Sequence, residues 1–309
     1  MTKENDRPTV LVLGASGSIG GALVQQLATD GGADQVKVRA AIRRPEAAER
    51  LRGLGVETTF LDLDGIERIQ LGRNRPLLDA LAGVDRLFLL TGYSVDMLVQ
   101  SKAIIDAARH SGVRHVVHLG AWATDDTTIV HLGWHQFVER YIESVGLRFT
   151  HLRPSTFMQN ILKFSLRDDG TIQQFIGDAK VSWVDTDDVA RAAAAVLRSP
   201  DKHHGQTYPL AVEALTIAEV ASLLSDVVGK PFRYQARSPD EFLAAAIAGG
   251  MEPTYARCVH NVFMRTADGS LSEAADVSGA FAQITGEQPT GWRAYAEKHR
   301  AEFLRRITK

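Results

Sequence analysis

Residues 10–21 read Val-Leu-Val-Leu-Gly-Ala-Ser-Gly-Ser-Ile-Gly-Gly, an apolar strand, a glycine-rich turn and the start of a helix. Glycines at 14, 17 and 20 suit a tight turn, close approach of backbone N–H groups to a pyrophosphate, and close packing of helix on strand. Ser16, Ser18 and Ile19 complete the loop, and the helix behind it adds the positive end of its dipole. A glycine-rich turn alone means only that positive φ is needed. With a strand before it and a helix after it, this turn indicates dinucleotide binding.

The next apolar run ends Ala40-Ala41-Ile42-Arg43-Arg44. A site for a 2′-hydroxyl ribose usually places an acid there, about 20 residues past the glycines. Two arginines stand there instead, and guanidinium groups suit a 2′-phosphate. NADP(H) is therefore the cofactor expected. Asp62 and Leu63, after a third strand, are placed to edge the adenine, while Leu90, Thr91 and Gly120 close later strands and should run along the cofactor toward its nicotinamide.

Histidines supply the remaining chemistry. His131 and His135 are four apart in a helix-patterned stretch and so share a face. Imidazole titrates near neutral pH, so His135 could hydrogen-bond the nicotinamide ribose or pass a proton. His131, at the helix start, is expected to face solvent. A zinc site with His115 and His118 is not expected: no glutamate follows His131 as in the metalloprotease motif, and His115 and His118, three apart on a strand, point to opposite faces. No metal is assigned.

The elements that must position these groups alternate along the first half. Strand-like runs are 9–14, 36–42, 56–61, 84–91, 115–120 and 147–152. Between them lie helix-patterned stretches at 19–29, 45–53, 73–81, 96–110 and 133–145. Several strand runs are apolar throughout, as when helices cover both faces of a parallel sheet. The expected fold is α/β, a Rossmann-type doubly wound parallel sheet with a small mixed carboxyl-terminal substrate lobe. Residues 1–152 with 178–200 are assigned to the dinucleotide core, and 153–177 with 201–309 to the lobe. In the lobe, 181–184 reads as a strand. Residues 186–197 read as a helix capped by Thr186 or Asp187, and further helices are expected at 217–228, 239–248, 254–265 and 291–306. Met251, Phe263 and Met264 are assigned to the lobe core.

Composition narrows the function classes. The chain has 309 residues, 45% hydrophobic and 23% charged, enough to build a large core. Thirty-five basic and 37 acidic residues give a formal net charge of −2, which does not favour nucleic acid or an anionic membrane. The single cysteine, Cys258, excludes an intramolecular disulfide. The polar start MTKENDRP and the lack of a run near 20 apolar residues lead to the expectation of a cytoplasmic protein.

With the glycines, Arg43 and the segment 135–160 in view, the chain resembles the NmrA-like branch of the atypical short-chain dehydrogenases/reductases. The segments that carry the resemblance are Gly133-Trp-His-Gln-Phe-Val-Glu139, Gly146 through Arg153-Pro154-Ser-Thr-Phe157-Met158-Gln-Asn160, and Val181-Ser-Trp-Val-Asp185-Thr-Asp-Asp188-Val-Ala190. The resemblance implies NADP(H) binding and often hydride transfer. It also admits members that sense the cofactor and regulate other proteins without turnover.

Typical short-chain reductases protonate a carbonyl with Tyr-x-x-x-Lys. By this resemblance His131 falls at the tyrosine and His135 at the lysine, which makes His135 the catalytic candidate. A positioned acid contributes typically about 10²–10⁴-fold. Without the tyrosine, the expected substrates are planar electrophiles that need little protonation: azo, quinone, imine or iminium, or triarylmethane compounds. Trp122, Trp134, Phe157, Met158, Asn160, Phe164 and Phe175 are the candidates to contact such a substrate, with Asn160 alternatively capping a helix at Ile161. A monomer or homodimer acting on a small aromatic molecule is expected. Arg153 reads as a structural charge partner, and Asp185 and Asp188 as helix-start acids.

Overall fold

The strand–helix alternation of the first half is present in the computed structural model, which describes residues 7–29, 35–68, 70, 73–92 and 94–307. Most of the polar start, residues 1–6, lies outside the described residues. The chain divides into two compact units. The first comprises 1–121, 134–153 and 189–208, and the second 122–133, 154–188 and 209–309. Residues 122–133 and 178–188 thus go with the second unit, and 153 and 201–208 with the first, unlike the boundaries read from the sequence.

In the first unit β1 (Thr9–Val12), β2 (Lys37–Ile42), β3 (Glu57–Phe60), β4 (Arg86–Leu90), β5 (His115–Leu119), β6 (Arg148–Pro154) and β10 (Gln206–Leu210) form one sheet. Its order is β10-β6-β5-β4-β1-β2-β3, and β1 to β6 run parallel. The connections are α1 (Ser18–Ala28), α2 (Glu46–Arg52), α3 (Arg75–Leu81), α4 (Met97–His110) and α5 (Val130–Ser144). Strand order reverses between β1 and β4, and this switch point is where open α/β sheets bind ligands. The central strands are apolar because both faces are covered: Val10, Leu11, Leu87, Phe88, Val116 and Val117 are fully buried. β3, at the edge, leaves Phe60 57% exposed.

The second unit has its own core of Met158, Ile161, Trp183, Leu224, Trp292 and Tyr295. Around it lie a three-stranded sheet and a two-stranded one. The first runs β11 (Glu213–Leu215), β9 (Val181–Val184), β7 (Thr156–Phe157), and the second pairs β12 (Arg233–Ala236) with β8 (Thr171–Gln174). α6 (Thr186–Arg198) is capped by Asp185, whose Oδ1 accepts the Asp187 N–H at 2.9 Å, rather than by Thr186 or Asp187. Gln159 Nε2 donates to that same oxygen at 2.6 Å. Asp188 accepts from the Thr290 N–H and hydroxyl at 2.6 and 2.9 Å. Both aspartates are thus structural anchors.

Capping boxes start α7 (Ile217–Val228) at Thr216/Glu219 and α8 (Pro239–Ala248) at Ser238/Glu241. α9 (Pro253–Ala267) begins with proline in its first turn, and a short α10 (Ala280–Thr285) follows. The single helix expected over 291–306 is two, α11 (Trp292–Lys298) and α12 (Arg300–Ile307), broken at His299. Met251 and Met264, expected in the core, are 38% and 43% exposed, while Phe263 packs against the core from its edge. No helix among the described residues is long and apolar enough to cross a membrane.

Candidate cofactor cradle and buried histidines

β1 delivers the chain into Gly14, whose φ of +65° only glycine adopts without strain. The turn closes with the Gly17 N–H donating to the Gly14 carbonyl at 2.9 Å. A Cβ on Gly20 would overlap that carbonyl, 2.6 Å from its carbon and 3.0 Å from the Ala15 nitrogen. One on Gly17 would lie 3.2 Å from the same oxygen. Gly14, Ser16, Gly17 and Ser18 are exposed, whereas Ile19 and Gly20 turn inward. Gly17 is the N-cap of α1; no side chain caps it, and no acid lies in the first turn. Exposed backbone at an acid-free helix start is a surface for an anion. The residues present therefore fit a pyrophosphate.

The other expected cofactor contacts lie at the same ends of the sheet. Arg43 and Arg44 follow β2 directly, both exposed. Asp62 follows β3, exposed, and its Oδ1 also accepts the Asp64 N–H at 3.1 Å, building the turn it sits in. Leu63 is half-buried, and its carbonyl accepts from Gln100 Nε2 at 3.4 Å. Leu90 and Thr91, both half-buried, end β4; the Leu90 side chain presses on Gly14, whose missing Cβ would lie 2.9 Å from it. Gly120 ends β5, and its N–H donates to the Leu152 carbonyl at 2.8 Å.

Gly120 sits against Glu139, assigned no role from the sequence, and His118, considered there only as a rejected metal ligand. A Cβ there would meet Glu139 Oε1 at 3.2 Å and His118 Cε1 at 3.3 Å. Glu139, fully buried on α5, takes a bidentate pair from Arg153 on β6, Nε–Oε1 at 3.0 Å and Nη2–Oε2 at 2.6 Å. Arg153 is thus a structural charge partner, as read. His118 and His151 are register partners on β5 and β6 and are both fully buried. Burial pushes His151 down to about 3 and His118 well below the usual imidazole range. The half-buried His135 places its ring 5.6 Å from that of His118. His118 shares β5 with His115, and His151 shares β6 with Arg148, Thr150 and Arg153, so no local pattern singles the two rings out and only the register of β5 on β6 brings them together. His115, on the opposite face, is held by the Thr150 hydroxyl at 3.0 Å. His131 does not face solvent: burial lowers it to about 4, and its ring lies 5.8 Å from Tyr255.

The aromatic candidates are dispersed. Trp134, in the first unit, is half-buried and packs on the core there. In the second unit Trp122 is half-buried and donates through Nε1 to the Glu273 carbonyl at 3.2 Å. Phe157 is half-buried on β7, Phe164 is 73% exposed, and Met158 is completely buried in the core. Asn160 occupies the N-cap of a π-helical turn, Ile161–Ser165, without making the capping hydrogen bond. A cluster not foreseen joins Phe175, Phe242 and Phe263, with ring centroids 4.9–5.4 Å apart.

Comparison with known proteins places this geometry in a lineage. The chain is 30% identical over 298 residues to the NAD(P)H azoreductase of Xenophilus azovorans, covering 95% of this chain and 99% of that protein. It is 30% identical over 305 residues to the (4-alkanoyl-5-oxo-2,5-dihydrofuran-3-yl)methyl phosphate reductase of Streptomyces griseus, covering 95% and 99%. Among solved structures it is similar to Citrobacter triphenylmethane reductase complexed with NADP(H), with a TM-score of 0.77, 26% identity, and 94% and 99% coverage. The NmrA-like family model matches residues 6–283. The chain belongs to the NmrA-like family.

Proposed function

We propose that this protein reduces planar aromatic or conjugated electrophiles of azo, quinone, imine or triarylmethane type at the expense of NADPH. It is an NAD(P)H-dependent oxidoreductase, as are the azoreductase and the triphenylmethane reductase it resembles. The observation that carries the cofactor half is the Gly14–Gly17–Gly20 turn, whose exposed backbone leads into an acid-free helix start. Gly14, Ser16, Gly17, Ser18, Ile19 and Gly20 hold the pyrophosphate; Arg43 and Arg44 take the 2′-phosphate; Asp62 and Leu63 edge the adenine. Leu90, Thr91, Gly120 and His135 border the nicotinamide, which when bound supplies hydride. Trp122, Trp134, Phe157, Asn160 and Phe164 are the proposed substrate contacts. Met158 acts only through the core that holds its neighbours.

The substrate class rests on what His135 can do. An imidazole one turn before Glu139 can orient a ribose or hand over one proton, and no tyrosine stands on that turn of α5 to stabilise an alkoxide. Following NADPH oxidation with an azo dye, a quinone, a cyclic imine, a triarylmethane dye and a simple ketone tests the reading. Turnover of the planar compounds with the ketone inert supports it, and ketone reduction at a comparable rate sinks it. Tight NADPH binding with no turnover of any of them would favour a cofactor sensor.

A further inference from the structure

Four side chains of the first unit line up between β5, β6 and α5. His135 and His118 have ring centroids 5.6 Å apart, and His118 and His151 are again 5.6 Å apart. His151 Nε2 lies 3.3 Å from Glu143 Oε1, and Glu143 keeps a quarter of its side-chain surface in water, beside Arg140 at 2.7 Å. His118 is the anomaly. It is completely buried, yet neither ring nitrogen has a hydrogen-bond partner among the described residues, and the Nδ1 of His151 has none either. A leucine there would avoid the full desolvation penalty of a polar ring that gains no hydrogen bond in return. A merely structural role does not account for such a side chain.

A cation is a poor account of it. His118, Glu139 and His151 each offer a ligand atom within 4.8 Å of the others, but both oxygens of Glu139 are already taken by Arg153. The groups facing the rings are that neutralised pair, Arg140 beside Glu143, and Phe149, which stacks on His151 at 4.5 Å. Inside this sleeve burial keeps His118 and His151 uncharged at neutral pH, so each has one nitrogen to accept a proton and one to give.

We propose that His151, His118 and His135 form a proton conduit that draws on Glu143 at the surface and delivers at His135. The proposal rests on the reductase reading. When an azo compound is reduced by NADPH, one nitrogen gains the hydride and the N=N π pair moves to the other, which takes a proton from His135. His135 is resupplied on its other nitrogen by His118, His118 by His151, His151 by Glu143, and Glu143 by water. His118 and His151 each end in the opposite tautomer and His135 regains the proton it gave, so the sum is azo compound, NADPH and one proton to hydrazo compound and NADP⁺. His118 is hydrogen-bonded to neither neighbour at rest, so ring rotation gates each transfer.

A triarylmethyl cation needs hydride and no proton, which separates the conduit from the rest of the site. The test compares azo and cation turnover in the wild type, in His118→Leu, which removes both nitrogens from the core, and in Glu143→Gln at the surface end. The azo-to-cation ratio should fall about tenfold or more in both variants, with the cation rate reporting that each is folded. An unchanged ratio, or a wild type that reduces the cation but not the azo dye, overturns the conduit. If the wild type reduces neither, the reductase reading itself fails. Ring ¹⁵N NMR then decides independently: tautomer exchange at His118 at pH 7 supports the conduit, and one fixed tautomer overturns it.

Discussion

Glu139 on α5 and Arg153 on β6 meet in a two-pronged ion pair, 3.0 and 2.6 Å, with side chains 0% and 6% exposed. Its Oε1 is also the atom closest to where a Cβ on Gly120 would fall. The pair therefore ties a helix to a strand at the end of β5 and leaves that glycine only tight room for a side chain.

Breaking this pair from one side should be far worse than replacing both partners. Arg153→Met alone leaves a carboxylate buried without its partner, which costs about 3–5 kcal/mol. Arg153→Met combined with Glu139→Leu should recover most of that loss. Urea midpoints of the two variants and the wild type measure it; a double variant no more stable than the single one would contradict the assignment.

The glycine turn makes a prediction about cofactor binding. Gly20→Ala forces the turn away from the Gly14 carbonyl, and Gly17→Val projects a branched side chain from the exposed cradle. Each should weaken NADPH binding at least about tenfold, equivalent to about 1.4 kcal/mol. Calorimetric titration together with a thermal melt separates lost binding from lost structure.

Arg43 and Arg44 are exposed at the end of β2 and offer guanidinium donors to a phosphate. Replacing both by alanine should weaken NADPH by about ten- to a hundredfold and leave NADH nearly untouched. Equal losses for both cofactors would remove the 2′-phosphate role.

Acid should destabilise the protein early. Burial holds His115 and His151 at about 3 and His131 at about 4, below the unfolded value near 6.5. The unfolded chain therefore binds more protons than the native one between about pH 6.5 and 3, and stability falls as pH drops through that window. Above 6.5 these groups are neutral in both states and impose no penalty. Each contributes about 1.4 kcal/mol per pH unit once the unfolded chain is protonated, so the three together cost several kcal/mol by pH 5. Denaturant midpoints at pH 7.5, 6 and 5 should decline steeply, and a flat profile would mean that these rings are not buried neutral.

Much of this architecture is legible in the chain because parallel strands covered on both faces read as continuous apolar runs. The strand at 181–184 and the helices at 217–228 and 239–248 match the structure residue for residue, and the glycine turn sits where its motif requires. What escapes is whatever depends on partners far along the chain. Thr156–Phe157 and Glu213–Leu215 are too short to show a period and are strands only because β9 pairs with both. Asp185 outranks Thr186 as a cap because its carboxylate is also held by Gln159, 26 residues earlier. The alignment of His118 with His151 is fixed by the register of two strands, which no local pattern encodes.

Trp183 and Trp292 lie edge to face in the second unit, centroids 5.2 Å apart, both all but sealed from water. Trp122 belongs to the same unit, and Trp134 alone of the four tryptophans belongs to the first. The chain thus carries its own optical reporters: a Trp134→Phe variant emits only from the second unit. Loss of its blue-shifted, iodide-resistant fluorescence would time the melting of that half, while far-ultraviolet dichroism follows the whole.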